Sequence, residues 1–244
     1  MEKYFQRDGT ESFVLFSLTH WLTLFVLLFI IIIVLLFRKS LRIASYNRLF
    51  RLGLAIILIV SEIALHIWLF KYDFWDIRYS LPLHLSSISL ILSAFLLLTK
   101  NYRLFEFTYF AGMGSALQAM ITPDISAYTF PHFRYVHFFI SHGGIVIANV
   151  FFVMVENFRP NFKSLLKAFL YLNIYAFLIF LVNLILHGNY MYISNKPANP
   201  SMLDYLGPWP IYIFPLEVIA FFTFLILYLP FALQEYILKK RSLK

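Results

Sequence analysis

The groups in this chain able to do chemistry are seven histidines, a few carboxylates set within apolar runs, and two adjacent serines. Ser86 and Ser87 follow His84 in the string Leu81-Pro82-Leu83-His84-Leu85. On a helix Ser87 shares a face with His84, three residues before it, whereas Ser86 does so less readily. A serine acts as nucleophile only when a base reaches its hydroxyl, and His84 or His142 is available for that role. The same serines serve equally as structural hydrogen-bonding groups. Glu62 and His66 stand four apart, as do Asn183 and His187, so each pair shares a helix face. Glu62, Gln118 and Glu217 are the expected polar lining of a binding site. Arg134 and Lys196 are cations able to hold a phosphate or carboxylate. The chain has no cysteine, which excludes disulfides, thiolate metal sites and a cysteine nucleophile. Histidine is a frequent zinc ligand, but no HxxxH or HExxH string occurs. Zinc ligands would have to come from separate helices, so no metal and no cofactor is assigned.

The elements that must position these groups are membrane helices. Hydrophobic residues make up 61% of the chain and charged residues 13%, against about 45–50% and about 25% in soluble domains. A soluble fold of 244 residues could not hide that much apolar surface, whereas a bilayer can. The expected fold is all-α: one polytopic bundle over residues 1–244 with seven transmembrane helices near 13–37, 49–70, 80–99, 103–122, 133–156, 164–187 and 208–231. The first run is too long for a signal peptide core and its flank is not positive, so it reads as a retained helix. Placing the N-terminus outside puts fourteen Lys and Arg on inner segments and six on outer ones, the latter including Lys3, Arg7, Arg134 and Lys196. That asymmetry follows the positive-inside rule and gives a cytoplasmic C-terminus. Removing the fourth run would carry the Arg159 cluster outside. The net charge of +8 therefore reads as a topology signal, and no zinc-finger, RRM or phosphate-loop motif supports nucleic-acid binding.

In this topology all seven histidines fall on the outer side. Glu62, His84, Gln118, His142 and Glu217 come from five helices yet lie roughly 6–14 Å below the outer surface. Ionisable groups at that depth usually face a bundle interior or a wet cavity. A polar cavity open to the outer side is expected, with Gly143 and Gly144 leaving room beside His142. A set of structural interhelical hydrogen bonds is the alternative. The outer connections, 122–135 and 188–210, are rich in aromatics and prolines and read as an interfacial cap. Thr19-His20 resembles Ser141-His142, and Glu62 to His66 resembles Asn183 to His187, at offsets of 122 and 121. These pairs suggest a parallel 3+1+3 repeat, a design known among small transporters.

Four strings carry a family resemblance: Leu81 to Leu85, Thr122-Pro123-Asp124, Phe139-Ile140-Ser141-His142-Gly143-Gly144, and the run from Lys196-Pro197 to Leu206-Gly207-Pro208-Trp209-Pro210. Together they resemble the bacterial YwaF-like integral membrane family over nearly the whole chain. That family is similar to a vertebrate transmembrane family of phospholipid acyltransferases that use a Cys and a His. More distantly it resembles membrane hydrolases of branched fatty-acid esters that use a Thr and a His. The resemblance implies lipid acyl chemistry, with His142 matching the family histidine. Where the YwaF-like pattern often has Cys, this chain has Ser86, so no thioester can form. Either Ser86 or Ser87 replaces it, or His142 acts as base on a substrate hydroxyl, or this member carries out a different function.

The expected protein is thus a multi-pass cell-membrane protein whose partner is membrane lipid, and whose oligomeric state the sequence leaves open. Its expected function is a lipid acyltransferase or hydrolase with His142 as general base. The rival readings are a small-solute transporter or binding protein, and a zinc-dependent membrane hydrolase.

Overall fold

Every regular element is helical in the computed structural model, which describes residues 2–6, 9, 11–125, 127–197 and 202–242. Arg7, Asp8 and Lys244, which enter the charge pattern, and the cap residues 198–201 lie outside the described residues. Seven helical rods follow in order: α1 (Leu18–Leu36), α2 (Ala44–Lys71), α3 (Leu85–Thr99), α4 (102–121), α5 (Phe133–Met154), α6 (Phe162–Leu186) and α7 (Ile213–Ser242). Among the described residues, five of them (α1, α2, α5, α6 and α7) are long and apolar enough to cross a membrane. The chain is therefore a multi-pass membrane protein.

Position in the bundle follows side-chain character. In α5, 78% of the most apolar stretch is buried, against 11% in α1, so α5 is the central rod and α1 a peripheral one. α5 carries Gly143, Gly144, Ala148 and Asn149 on its surface, and small residues let neighbouring helices approach. A methyl group on Gly144 would come within 2.5 Å of Leu58 on α2, and one on Gly143 within 3.2 Å of Leu27 on α1. These two glycines serve close packing of α1 and α2 on α5. Neither of these contacts involves the imidazole of His142.

Two rods depart from regular form for local reasons. α3 starts at Leu85 instead of near 80: Pro82 disfavours helical backbone at Leu81, and the chain is still extended at the N-cap His84. The backbone of that approach is satisfied from outside: the Tyr190 hydroxyl accepts from Leu81 N at 3.0 Å, and the Tyr175 hydroxyl donates to Leu83 O at 2.9 Å. α4 begins at Asn101, whose side chain accepts from the Arg103 and Leu104 amides. It is α-helical over Tyr102–Phe107, widens to a π turn over Thr108–Gly112, and resumes as α over Met113–Ile121. The π turn is buried throughout and fixed by the Thr108 hydroxyl donating to Asn149 Oδ1 at 3.0 Å.

Candidate functional site

The polar groups in the half of the bundle that carries the histidines gather where α2, α3 and α5 meet. Along α5, residues 134, 137, 138, 141 and 142 follow three- and four-residue steps and line one side of the rod. The Ser141 hydroxyl lies 3.2 Å from His137 Nε2 and 3.0 Å from the Ser61 hydroxyl on α2. Next to Ser61, Glu62 Oε1 sits 3.8 Å from Nε2 of His66, one turn further along α2. Ser87 of α3 approaches the Glu62 carboxyl, yet Oε1 itself is buried without a hydrogen-bond partner among the described residues. Arg134 supplies the positive charge: its guanidinium acts electrostatically on Glu62, His137 and His142, and on Asp124 and Tyr192 above them. The half-buried guanidinium and the buried carboxylate attract each other electrostatically, although they form no direct ion pair.

His142 has a defined tautomer. Its Nδ1 lies 2.8 Å from the Phe138 carbonyl, which can only accept. Nδ1 therefore carries the proton, and Nε2 keeps a lone pair with no protein partner among the described residues. That is the configuration of a base.

A cap closes the site. Asn183, at the end of α6, donates from Nδ2 to Tyr190 O at 3.0 Å and accepts from Tyr190 N at 2.8 Å. Tyr190 is fully buried and its hydroxyl donates to Ile77 O at 2.6 Å. Held at this point, Met191 and Tyr192 take left-handed backbone conformations, φ 59° and 53°. Such strain costs about 1–3 kcal/mol per non-glycine residue and persists only where surrounding contacts impose it. It brings the Tyr192 hydroxyl to 3.4 Å from Asp124 Oδ2, and the Met191 amide to 3.3 Å from His84 Nδ1. The rings of Tyr190 and Tyr192 pack on His84 at 5.3 and 5.7 Å. Burial raises the Tyr192 phenol above its ordinary pKa, so it stays a neutral donor.

The structure thus brings Glu62, Ser87, Arg134 and His142 into one group, with His84 under the cap beside it. It separates the remaining expected residues. Gln118 is exposed and donates to Thr223 at 2.9 Å on α7. Glu217 accepts from Asn173 at 2.9 Å across α6 and α7. Lys196 pairs with Asp204 at 4.0 Å and lies over the Tyr212 ring on the cap rim. Ser86 is half-buried with no hydrogen bond from its hydroxyl among the described residues. Asn183 is committed to Tyr190 and His187 is exposed, so that pair does not repeat the Glu62–His66 contact. His20, fully buried, lies 2.9 Å from Met120 O and ties α1 to α4. No group of three or more His, Cys, Asp or Glu able to hold a metal ion occurs among the described residues.

Ser61, Asp124, His137, Ser141 and Tyr192 belong to the site without having been singled out for it. For His137 and Ser141 the signal was available, since their four-residue spacing is that of Glu62 and His66. Asp124 and Tyr192 meet across two loops, and no local pattern announces that.

Comparison with curated proteins and with solved structures gives no match. One family model does match, over residues 15–228, an interval that takes in α1 to α6, the cap and the first part of α7. The whole site lies inside it, and the chain belongs to the TMEM164 family of membrane proteins.

Proposed function

We propose that this protein is a membrane-embedded lipid acyltransferase or hydrolase in which His142 is the general base. The observation that carries this reading is the pinned imidazole: Nδ1 is spent on Phe138 O, and Nε2 is left free in a buried polar group that holds Arg134 and Glu62. In the proposed step Nε2 removes the proton from a hydroxyl as its oxygen attacks an acyl carbonyl carbon. The ester bond to the original alcohol breaks, and the imidazolium returns its proton to the departing oxygen. Arg134 is placed to stabilise the negative charge that develops on the carbonyl oxygen. Whether the attacking hydroxyl belongs to Ser87, Ser86, substrate or water decides between covalent and direct transfer.

A second feature, whose lining includes none of Glu62, Ser87, Arg134 and His142, offers an apolar surface to lipid. An apolar groove of about 640 Å³ runs between α1, α2 and α5, lined by Leu27, Gly53, Leu54, Ile140 and Gly143 among others. Val26 and Ile57 on its walls are exposed on the outside of the bundle, so the groove opens sideways, where an acyl chain can enter from the bilayer. The motif resemblance to YwaF-like proteins and their acyl-transferring relatives points the same way. The proposed topology is seven spans in the cell membrane, N-terminus outside and C-terminus cytoplasmic, and the parallel 3+1+3 repeat rests on the motif pairs alone.

The test is mass spectrometry of lipids from cells expressing wild type or His142→Ala. The expected result is a changed distribution of acyl species that His142→Ala abolishes at equal protein level. Identical lipid profiles would remove the enzyme reading in favour of transport.

A further inference from the structure

We infer that the basic end of the bundle, opposite the histidine-lined site, carries a binding site for a phosphate-bearing anion. A cavity of about 370 Å³ lies there among the start of α2, the end of α3 and the end of α5. Its lining holds Arg42, Arg48, Arg51 and Lys100 against a single carboxylate, Glu156. That volume is worth about a dozen water molecules, which leaves room for a headgroup and not only a bare ion.

Arg42, Arg51 and Lys100 are held in place by protein partners, whereas Arg48 is exposed and its side chain is uncommitted. Lys100 takes up Glu156 at 2.7 Å, and Asn47 donates to the same oxygen at 2.7 Å. Arg42 uses Nε and Nη2 on the Val155 and Met154 carbonyls and on Asn157 Oδ1. Arg51 uses Nε on Asn47 Oδ1 and Nη1 on the Leu97 and Leu98 carbonyls. Each guanidinium therefore closes the C-terminal end of a helix. Each also keeps one nitrogen, Nη1 of Arg42 and Nη2 of Arg51, without a protein partner among the described residues. Arg48 has no side-chain partner there at all, and its charge acts on Arg51. With Glu156 already neutralised, three positive charges face one cavity. The first turn of α2 opens onto the same space at Ala44, and its N-cap residue, Ile43, provides no side-chain acceptor. Its backbone amides and dipole add to the attraction for an anion. A phosphate, with several acceptor oxygens, suits fixed guanidinium forks better than a single-site anion does. Because the helix ends lie at the level of a membrane face, an anionic phospholipid headgroup and a soluble phosphate are both chemically suitable.

The experiment uses the purified full chain and native mass spectrometry with phosphatidylglycerol or phosphatidylcholine added. Wild type should retain phosphatidylglycerol in preference. Arg48→Ala should bind it about five-fold more weakly, Arg48→Lys should recover most of the loss, and Arg38→Ala, at an exposed arginine outside the cavity, should leave it unchanged. Displacement by millimolar inorganic phosphate, dependent on Arg48, identifies a soluble phosphate as the ligand; resistance identifies the headgroup. Either outcome upholds the site. Equal weakening by Arg48→Ala and Arg38→Ala, or no preference for the anionic lipid in wild type, overturns it in favour of diffuse surface attraction.

Discussion

At the scale of single residues the proposed chemistry depends on where protons sit. His142 is fixed as the Nδ1–H tautomer by one backbone carbonyl, so its free nitrogen is set by helix geometry and not by a carboxylate partner. His142→Ala should therefore lower turnover by roughly 10²–10⁴-fold, with the protein still folded and extractable as in wild type. The serines then separate the mechanisms. Ser87 lies beside Glu62, and Ser87→Ala should cost as much as His142→Ala if a covalent intermediate forms on it. Full activity in both Ser86→Ala and Ser87→Ala, measured with a labelled acyl donor, points instead to direct transfer. A different proton governs the N-terminal tether. His132 lies 3.0 Å from Gln6 O through Nε2 and accepts from the Arg134 amide at Nδ1, an arrangement that needs the neutral ring. Burial lowers its pKa from 6.5, with the Arg134 charge acting in the same direction against the Gln6 hydrogen bond. The folded form thus disfavours protonation. Its contribution to stability is full above the unfolded pKa of about 6.5 and is lost as pH falls towards the lower folded value. Hydrogen-exchange protection of residues 2–6, corrected for the intrinsic pH dependence of exchange, should fall over that window in wild type, and His132→Asn should remove this change.

At the scale of elements, the cap is the part whose geometry decides whether the site is enclosed. Gly188 carries it past the 76–80 loop: a methyl group there would lie 2.5 Å from the Arg78 carbonyl oxygen, a backbone atom that cannot rotate away. Gly188→Ala should destabilise the fold by about 1–3 kcal/mol, seen as a lowered thermal midpoint in detergent, and should loosen Tyr190 and Tyr192 together. The rods themselves were legible in the sequence, because uninterrupted apolar runs leave few alternatives in a bilayer. Their ends were not. α3 begins five residues late, because Pro82 disfavours helical backbone at Leu81 and the chain is still extended at His84, and α7 begins at Ile213 and runs on past 231 through Pro230. The site was legible only where its members share a helix, as in Glu62 with His66. The grouping of Gln118 and Glu217 with His142 was an inference from depth alone. Depth fixes only one coordinate, and rotation about the helix axis turned both towards Thr223 and Asn173.

At the scale of the whole molecule, polarity is divided between two ends. One holds the enclosed His142 group beneath the aromatic cap, the other a cavity lined by four cations. The proposed orientation is checked with introduced cysteines, since the chain has none of its own. An impermeant thiol reagent on intact cells should label Asp124→Cys and Lys196→Cys and spare Lys163→Cys; labelling at 163 contradicts seven spans with an outside N-terminus. The central claim, that the enclosed group transfers acyl chains with His142 as base, has a more direct test. Purified wild type and His142→Ala, reconstituted separately into vesicles, are given a phospholipid with an isotopically labelled acyl chain, and the label is followed by mass spectrometry. Label passing from the donor to another lipid hydroxyl or to free fatty acid in wild type, and falling at least a hundredfold in His142→Ala, is the predicted result. Label that stays on the donor in both, from protein shown to be folded, contradicts it.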